Sequence, residues 1–343
     1  MRIGVLTGGG DVPGLNAAIR AVARRAFEQG WEVYGIKDGW KGLRDGDVAP
    51  LDRPATSGIL HLGGTILGSS RTNLTKKAED MEKALANIKK FGLDAIVAIG
   101  GDDTLLVCAA MNKKGIQCIG VPKTMDNDVP ATDYCIGFNT AVTTVSDALD
   151  KLHTTAEAHH RVIVVEVMGR DSGWVAVMGG LAGGADFIMI PERPSSVADV
   201  CAHIKRRREM GKQFSIVVVA EGAKVAELCE PGTDAECKDE FGHIRLDQRG
   251  VGATVATAIE QRTGIETRCV VLGHLQRGGS PTVFDRVLAT RLGVYAVHLL
   301  KHGKTGQMVA LQGNRIVAVP LEEIAGKTRG VDAELCAMAE MFY

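Results

Sequence analysis

Two short acidic segments of this 343-residue chain have the residue types and spacing needed for phosphate chemistry. Residues 100–104 (Gly-Gly-Asp-Asp-Thr) follow the apolar run 95–99, and residues 122–128 (Pro-Lys-Thr-Met-Asp-Asn-Asp) follow the apolar run 118–121. In an open α/β sheet, ligands bind where strands end and loops begin, so both segments are expected to line one crevice. Their carboxylates suit Mg²⁺, which is held by one or two carboxylates together with substrate phosphates. The pattern predicts a phosphotransferase with Mg²⁺ as its cofactor.

Asp126 is the candidate general base of this crevice, because an aspartate beside an incoming hydroxyl group contributes roughly 10²–10⁴-fold to the rate. Asp128 would orient that base or hold the metal ion. Structural interpretations stay open: Asp102 or Asp103 could cap the helix that follows, and the second segment could be an Asx turn that ends a strand.

A glycine-rich segment, residues 7–16, is a third candidate for phosphate binding, with Gly9 and Gly10 as its contacts. Glycines let the backbone approach a phosphate, and a helix N-terminus favours negative charge. The spacing matches neither a P-loop nor the dinucleotide-binding fingerprint, and a tight strand–helix turn is the alternative.

Arginines at glycine-rich corners are candidate phosphate ligands, because arginine can donate two hydrogen bonds to one phosphate. The loop at 64–72 contributes Arg71, and the second half of the chain contributes Arg161, Arg170, Arg268 and Arg277. Any one of them taken alone could be a surface residue. Glu221 would accept hydrogen bonds from sugar hydroxyls or would pair with a buried cation.

Composition limits the class of protein. The length and a hydrophobic content of 45% allow two domains, and a net charge of −1 argues against a nucleic-acid partner. The sequence has no apolar stretch of membrane-spanning length and no signal-peptide pattern, so we expect no membrane partner and a cytoplasmic location. The eight cysteines include no Cys-x-x-Cys pair and lie mostly in apolar runs, which predicts buried, reduced thiols. Cys229 and Cys237 are the one pair in polar surroundings.

Apolar runs alternate with amphipathic stretches, which predicts an α/β fold with parallel sheets. The predicted strands are 3–7, 95–99, 118–121, 162–167, 187–190, 215–220 and 268–272. The predicted helices are 14–29, 76–91, 138–156, 198–210, 251–262 and 285–301. Residues 223–244 are polar and are predicted to form a surface excursion.

Taken together, these motifs resemble the phosphofructokinase family over roughly residues 1–300 and occur in the family's order. Residues 9–20 resemble its first phosphate-side loop, and residues 124–128 (Thr-Met-Asp-Asn-Asp) resemble its Thr-Ile-Asp-Asn-Asp catalytic loop. Residues 168–170, 221–222 and 273–281 resemble its sugar-phosphate contacts.

The resemblance implies two Rossmann-like three-layer domains with mainly parallel sheets and an active site in the cleft between them. Residues 1–137 with about 276–326 would bind the phosphoryl donor and Mg²⁺. Residues 138–275 with about 327–343 would bind the sugar phosphate. It also implies a homodimer or homotetramer with shared active sites.

The family reaction would phosphorylate fructose 6-phosphate at its 1-hydroxyl group, in glycolysis or gluconeogenesis. Asp126 would be the base and Asp102 the metal ligand, with Arg71 near the transferred phosphoryl group. The implied catalytic residues are Asp126, Thr124, Arg71 and Arg170. The implied sugar contacts are Thr124, Asp126, Met168, Gly169, Arg170, Glu221, His274 and Arg277, with Arg161 and Arg268 from a neighbouring subunit. The implied donor contacts are Gly9, Gly10, Gly101, Asp103, Thr104 and Lys123.

Asp103 and Lys123 replace two glycines of the ATP-dependent pattern and resemble the pyrophosphate-dependent branch. The Asp103 side chain would occupy the space of the α-phosphate of ATP and would repel that phosphate. Lys123 would offer a cation to a short diphosphate. The expected reaction is therefore reversible transfer from pyrophosphate, which gives fructose 1,6-bisphosphate and phosphate. An ATP-dependent 6-phosphofructokinase is the alternative.

Other classes fit the motifs less well. Lipid and NAD kinases share a run like residues 100–104, but residues 126–128 and 273–281 argue against them. A nicotinamide-dependent dehydrogenase would need a different glycine spacing at residues 7–16. A non-catalytic sugar-phosphate sensor would be expected to lack Asp126 or Asp102.

Overall fold

A computed structural model describes residues 1–225 and 250–343, which form two compact units. The first unit contains Met1–Thr140 and Arg277–Thr328, and the second contains Ala141–Gln276 and Arg329–Tyr343. Cys229, Cys237 and residues 226–244 of the predicted polar excursion lie outside the described residues.

Strands and helices alternate along most of the chain. The strands are β1 (Arg2–Thr7), β2 (Glu32–Ile36), β3 (Val48–Pro50), β4 (Ala95–Gly100), β5 (Gln117–Pro122), β6 (Val162–Val167), β7 (Phe187–Met189), β8 (Ser215–Ala220), β9 (Thr267–Val271), β10 (Gln307–Gln312) and β11 (Arg315–Pro320). The helices are α1 (Leu15–Glu28), α2 (Gly39–Asp45), α3 (Ala78–Phe91), α4 (Asp102–Lys113), α5 (Phe138–His159), α6 (Trp174–Ala182), α7 (Val197–Glu209), α8 (Val251–Thr263), α9 (Val283–Lys301), α10 (Leu321–Ile324) and α11 (Ala333–Glu340).

The first unit is built on a seven-stranded sheet in the order β11-β10-β5-β4-β1-β2-β3. The five inner strands are parallel, and the edge strands β3 and β11 are antiparallel to their neighbours. All six residues of β4 are buried, as expected for an apolar strand that is covered on both faces. The mainly parallel sheet confirms the predicted fold class.

Helices cover both faces of this sheet. Successive strand residues point to opposite faces, and the side chains on both faces are apolar and must be buried. Side chains of α2, α3 and α4 share one apolar core with Leu6, Ile96 and Cys118. The alternate strand residues Val5, Val97 and Ile119 are also fully buried. Helices α1 and α9 pack against each other, and α9 also contacts β5 and β10.

The described residues of the second unit form a four-stranded parallel sheet in the order β7-β8-β6-β9. Helices α7 and α8 bury apolar side chains against β6 and β8. Helix α6 packs closely on α5, because Gly179 and Gly183 leave room for Val145 and Leu149. A capping box of Ser196 and Asp199 starts α7.

All seven predicted strands are present, with each end within one residue of its predicted position. Strands β2, β3, β10 and β11 and helices α2, α6, α10 and α11 were not predicted from the sequence. The β10–β11 hairpin had a readable signal, because the two apolar runs 308–311 and 316–319 flank Gly313 and Asn314. The units end at Thr140, Gln276 and Thr328, where the predicted domains end at 137, 275 and 326.

The six cysteines of the described residues are all free thiols; five are buried and Cys269 is partly exposed. Among the residues that the structure describes, no helix combines the length and the hydropathy required to cross a bilayer.

Candidate active site

Three predicted phosphate loops leave the same edge of the first sheet. The parallel register pairs Thr7 of β1 with Ile99 of β4, and Gly100 of β4 with Pro122 of β5. Strand β1 continues to β2 on one side and β4 continues to β5 on the other, so the topological switch point lies between β1 and β4. Open α/β sheets bind their ligands at such a point. The loops that follow these three strands therefore lie side by side where a ligand is expected.

Lys123 links two of these loops through a buried hydrogen bond. The residue is 2% exposed, and its Nζ donates to the carbonyl oxygen of Gly10 over 2.6 Å. Gly9 has a φ of +80°, and a Cβ atom there would lie 3.3 Å from Nζ. Burial lowers the pKa of Lys123 to about 7; the nearby Arg277 lowers it as well, whereas Asp11 and other nearby carboxylates oppose this. The charge of this lysine is therefore sensitive to an incoming anion.

Arg277 binds a second carbonyl group of the glycine-rich loop. Its Nη1 donates to the carbonyl oxygen of Asp11 over 3.2 Å. The guanidinium occupies the space where a Cβ atom on Gly10 would stand, so this position accepts only glycine without a shift. Arg277 thus lies in the first unit, beside the glycine-rich loop, and the sequence did not indicate this contact. Its role as a sugar-phosphate ligand stays a prediction.

Asp102 and Asp103 form the first turn of α4. The N-cap residue is Gly101, and both aspartates lie inside the helix. The interpretation of either aspartate as the N-cap is therefore wrong. Both carboxylates are half-buried and lie at the positive end of the helix dipole. Thr104 is buried behind them, and a Cβ atom on Gly8 would lie 2.5 Å from its Oγ1. Glycine at position 8 therefore lets α4 approach the first loop.

The turn that carries Asp126 is fixed by its neighbours. The backbone N–H of Asp126 donates to Oγ1 of Thr124 over 3.1 Å. Asn127 is buried with a φ of +52°, and its side chain bonds the later part of the same loop. Asp126 is half-buried and Asp128 is buried. Both carboxylates therefore stand on a rigid turn at the end of β5.

A cavity of about 550 Å³ opens beside the glycine-rich loop. It is lined by Gly9, Gly10, Asp11, Thr65, Ser69, Ser70 and Arg71. Oγ of Ser69 donates to the carbonyl oxygen of Gly9 over 2.5 Å, and the Gly9 N–H donates to the Ser70 carbonyl over 3.0 Å. The loop that carries Arg71 is thereby joined to the glycine-rich loop, and polar groups form the cavity wall.

Asn16 holds the start of the Arg71 loop, which sequence reasoning missed. Its Nδ2 donates to the carbonyl oxygens of Leu62 and Gly63, and its Oδ1 accepts from the Ile66 N–H over 2.8 Å. The available signal was a polar residue among the apolar residues of the first turn of α1.

Among the described residues, no group of three or more histidine, cysteine, aspartate or glutamate side chains forms a ready metal site. Mg²⁺ does not require one, because it usually keeps several waters and binds one or two carboxylates with substrate phosphates. Asp102 suits this role: its carboxylate is half-buried, and it is near enough to Lys123 to raise the pKa of that lysine.

In the second unit, the predicted sugar contacts that follow β6 and β8 lie together. These strands are parallel neighbours that pair Val167 with Ala220. The Gly169 N–H donates to Oε1 of Glu221 over 3.4 Å. A Cβ atom on Gly222 would collide with the carbonyl oxygen of Arg170, so the close approach of the two loops requires glycine there.

Of the other predicted sugar contacts, Met168 and Arg170 flank Gly169 in sequence, and His274 lies two residues before Gln276. The Met168 N–H donates to Oε1 of Gln276 over 3.3 Å, and Nε of Arg170 pairs with Asp171 over 2.8 Å. His274 is exposed in the 3₁₀ turn Gly273–Arg277.

Arg161 and Arg268 share one carboxylate. Nε of Arg161 lies 2.7 Å from Oε2 of Glu266, and Arg268 pairs with Oε1 of the same residue. The structure therefore brings together the two arginines that the sequence assigned to a neighbouring subunit. Glu266 was missed, although its position two residues before Arg268 puts both on one face of an extended segment.

Comparisons with known proteins identify the family of this chain. Residues 2–300 match the family model described as phosphofructokinase. The pyrophosphate–fructose 6-phosphate 1-phosphotransferase of Dictyoglomus thermophilum is 50% identical, over 100% of this chain and 99% of the relative. The ATP-dependent 6-phosphofructokinase 3 of Streptomyces coelicolor is 47% identical, over 99% of each chain.

A solved structure gives the same result. Phosphofructokinase of Pichia pastoris in the T-state superposes with a TM-score of 0.83 and 32% identity, covering 99% of this chain and 36% of that longer chain. The family match spans both units of the fold, and the two full-length relatives named above are 50% and 47% identical to this chain. The chain belongs to the phosphofructokinase family.

Proposed function

We propose that this protein transfers a phosphoryl group reversibly from pyrophosphate to the 1-hydroxyl group of fructose 6-phosphate. The observation that carries the donor assignment is the buried Lys123 beside the glycine-rich loop, with Asp103 in the first turn of α4. The similarity of this chain to the pyrophosphate-dependent relative from Dictyoglomus supports the same donor.

Lys123 suits a short inorganic donor because a buried ammonium group interacts strongly with a compact anion. Its contact with the Gly10 carbonyl places the charge next to the backbone that would receive the phosphates. Asp103 acts in the opposite sense, because its carboxylate would repel the additional phosphate of a nucleotide. Attraction and repulsion together would favour pyrophosphate over ATP.

Asp126 would accept the proton of the 1-hydroxyl group as the sugar oxygen bonds to phosphorus. The bridging P–O bond of pyrophosphate breaks in the same transfer, and phosphate leaves. Thr124 would hold the acceptor, and Arg71 and Arg170 would stabilise the charge on the transferred group. Asp102 would hold Mg²⁺, which when bound neutralises charge on the phosphoryl oxygens.

The sugar phosphate would be bound by the second-unit residues described above and by Arg277. Arg161 and Arg268 would reach the site of a neighbouring subunit, which makes a homodimer or homotetramer the functional form. The shared carboxylate of Glu266 would keep the two guanidinium groups in place until a phosphate arrives.

ATP is the second candidate donor, because the Streptomyces relative named as ATP-dependent is 47% identical. A coupled assay for fructose 1,6-bisphosphate, run with Mg²⁺ and either pyrophosphate or ATP, distinguishes the two. We expect pyrophosphate to give the higher kcat/KM. A higher kcat/KM with ATP would overturn the donor assignment, and no turnover with either would overturn the reaction. Sedoheptulose 7-phosphate, tested in parallel, shows whether the acceptor site accepts a longer sugar.

A further inference from the structure

We infer that Asn127 is a positioning residue that sets the orientation of the catalytic carboxylate on Asp126. The inference rests on the proposed function, in which Asp126 is the general base. Asn127 lies between Asp126 and Asp128 in sequence, so its backbone angles decide how the two carboxylates project from the turn.

Asn127 has a backbone conformation that most residues avoid. Its φ is +52°, in the left-handed region, and the residue is 1% exposed. Asparagine adopts this region more readily than other residues with a side chain, because its short amide can form local hydrogen bonds. Glycine would also adopt this φ, but it would bring no side chain with which to hold the turn.

The side-chain amide uses both of its ends within the same loop. Nδ2 donates to the carbonyl oxygen of Asp133 over 3.0 Å, and Oδ1 accepts from the Cys135 N–H over 2.8 Å. Asn127 therefore connects the turn at the end of β5 to the segment that returns from it. Aspartate could accept from the Cys135 N–H, but it could not donate to the Asp133 carbonyl.

The return segment is itself attached to the sheet. The Leu311 N–H of β10 donates to Oγ1 of Thr132 over 3.0 Å, and the Gly313 N–H donates to Oδ2 of Asp133 over 2.6 Å. Asn127 thus ties the turn that carries Asp126 to a support that is bonded to a neighbouring strand. Functional side chains keep their geometry when such supporting contacts lock them on rigid elements.

The experiment compares Asn127→Gly, Asn127→Ala and Asn127→Asp with wild type in the fructose 1,6-bisphosphate assay. Misplacement of a reacting group by 1 Å can cost about 10²-fold, so we expect kcat to fall by about 10–100-fold in Asn127→Gly. The KM values for both substrates should change by less than about threefold, because the binding groups remain in place. Asn127→Ala should lose at least as much kcat, and Asn127→Asp should recover part of it.

Thr56→Val is the matched control, because Thr56 is fully buried in the same unit and its hydroxyl donates to the carbonyl oxygens of Asp52 and Arg53, in a segment outside the support of the Asp126 turn. We expect it to lower the Tm and to leave kcat within about twofold of wild type, as a purely structural loss would. Asn127→Gly is expected to fold, since glycine adopts the left-handed conformation without strain.

Two results would overturn the inference while the proposed function stands: wild-type kcat in Asn127→Gly, or an equal loss of kcat in Thr56→Val. An increase in KM without a change in kcat would also contradict it. If wild type fails to turn over fructose 6-phosphate with pyrophosphate or ATP, the proposed function fails and the inference falls with it.

Discussion

The Nζ atom of Lys123 lies 2.6 Å from the carbonyl oxygen of Gly10, and the lysine is almost completely buried. This hydrogen bond joins the loop after β5 to the loop after β1. Burial also lowers the pKa of the lysine to about 7, so a single group both connects the two loops and changes its charge near neutral pH.

The affinity for pyrophosphate should therefore weaken as pH rises. A bound anion raises the pKa of Lys123, so binding favours the protonated lysine, and KM should increase from about pH 7 up to the pKa of the complex. Steady-state kinetics of wild type and Lys123→Arg should be compared, because arginine stays charged throughout. The ratio of the two KM values cancels the ionisation of pyrophosphate itself; a ratio that does not vary with pH would contradict this role for Lys123.

Replacing both Asp103 and Lys123 by glycine should change the donor preference. We expect kcat/KM to rise with ATP, since the repulsive carboxylate is gone, and to fall with pyrophosphate, since the buried cation is gone. The two single variants separate these effects. An unchanged ratio of kcat/KM for the two donors would show that these positions do not select the donor.

Replacing Asp126 by asparagine should lower kcat by roughly 10²-fold or more, because the amide cannot accept the proton of the sugar hydroxyl group. The two side chains have nearly the same shape, so the Tm should change little. Measurement of kcat together with a thermal unfolding curve checks both points. Turnover close to wild type would remove Asp126 as the base.

Ala131→Gly should stabilise the protein. Ala131 is exposed with a φ of +63°, a left-handed conformation that costs a residue with a Cβ atom roughly 1–2 kcal/mol and that glycine adopts freely. Glycine also increases the entropy of the unfolded chain, which offsets part of this effect. We therefore expect the free energy of unfolding to rise by about 0.5–1 kcal/mol. Ala86→Gly, on the exposed face of α3, is the matched control and should lose about 1 kcal/mol. Urea unfolding measures both; a loss of stability in Ala131→Gly would refute the strain.

Acid should destabilise the second unit through His203. The buried imidazole ring packs near Phe187 and Tyr343. Burial, together with the positive charge of Arg206, lowers the pKa of His203 to about 4. The unfolded chain binds a proton near pH 6.5 and the folded chain only near pH 4, so stability should fall as pH drops through this window. His203→Phe keeps the aromatic packing and removes the titration. Its unfolding free energy should depend less on pH between 6.5 and 4; an unchanged slope would exclude His203 as the cause.

Reading the sequence alone identifies the candidate chemical groups and their positions along the chain. Residues 100–104 and 122–128 follow apolar runs that became the buried parallel strands β4 and β5. These properties are local, because the alternation of apolar strands and amphipathic helices is written in neighbouring residues. The same local order indicated the family and the expected fold class.

The groups that these residues contact became clear from the folded chain. Lys123 and Gly10 are 113 residues apart, and they meet because the register of β1, β4 and β5 aligns the ends of the three strands. The placement of Arg277 against Asp11 and the attachment of the Asn127 loop to β10 are equally long-range. Contacts of this kind depend on strand order and packing, which no local pattern encodes. For that reason the sequence indicated Lys123 as a residue that binds the phosphoryl donor. Its burial and its pKa near neutrality follow only from the fold.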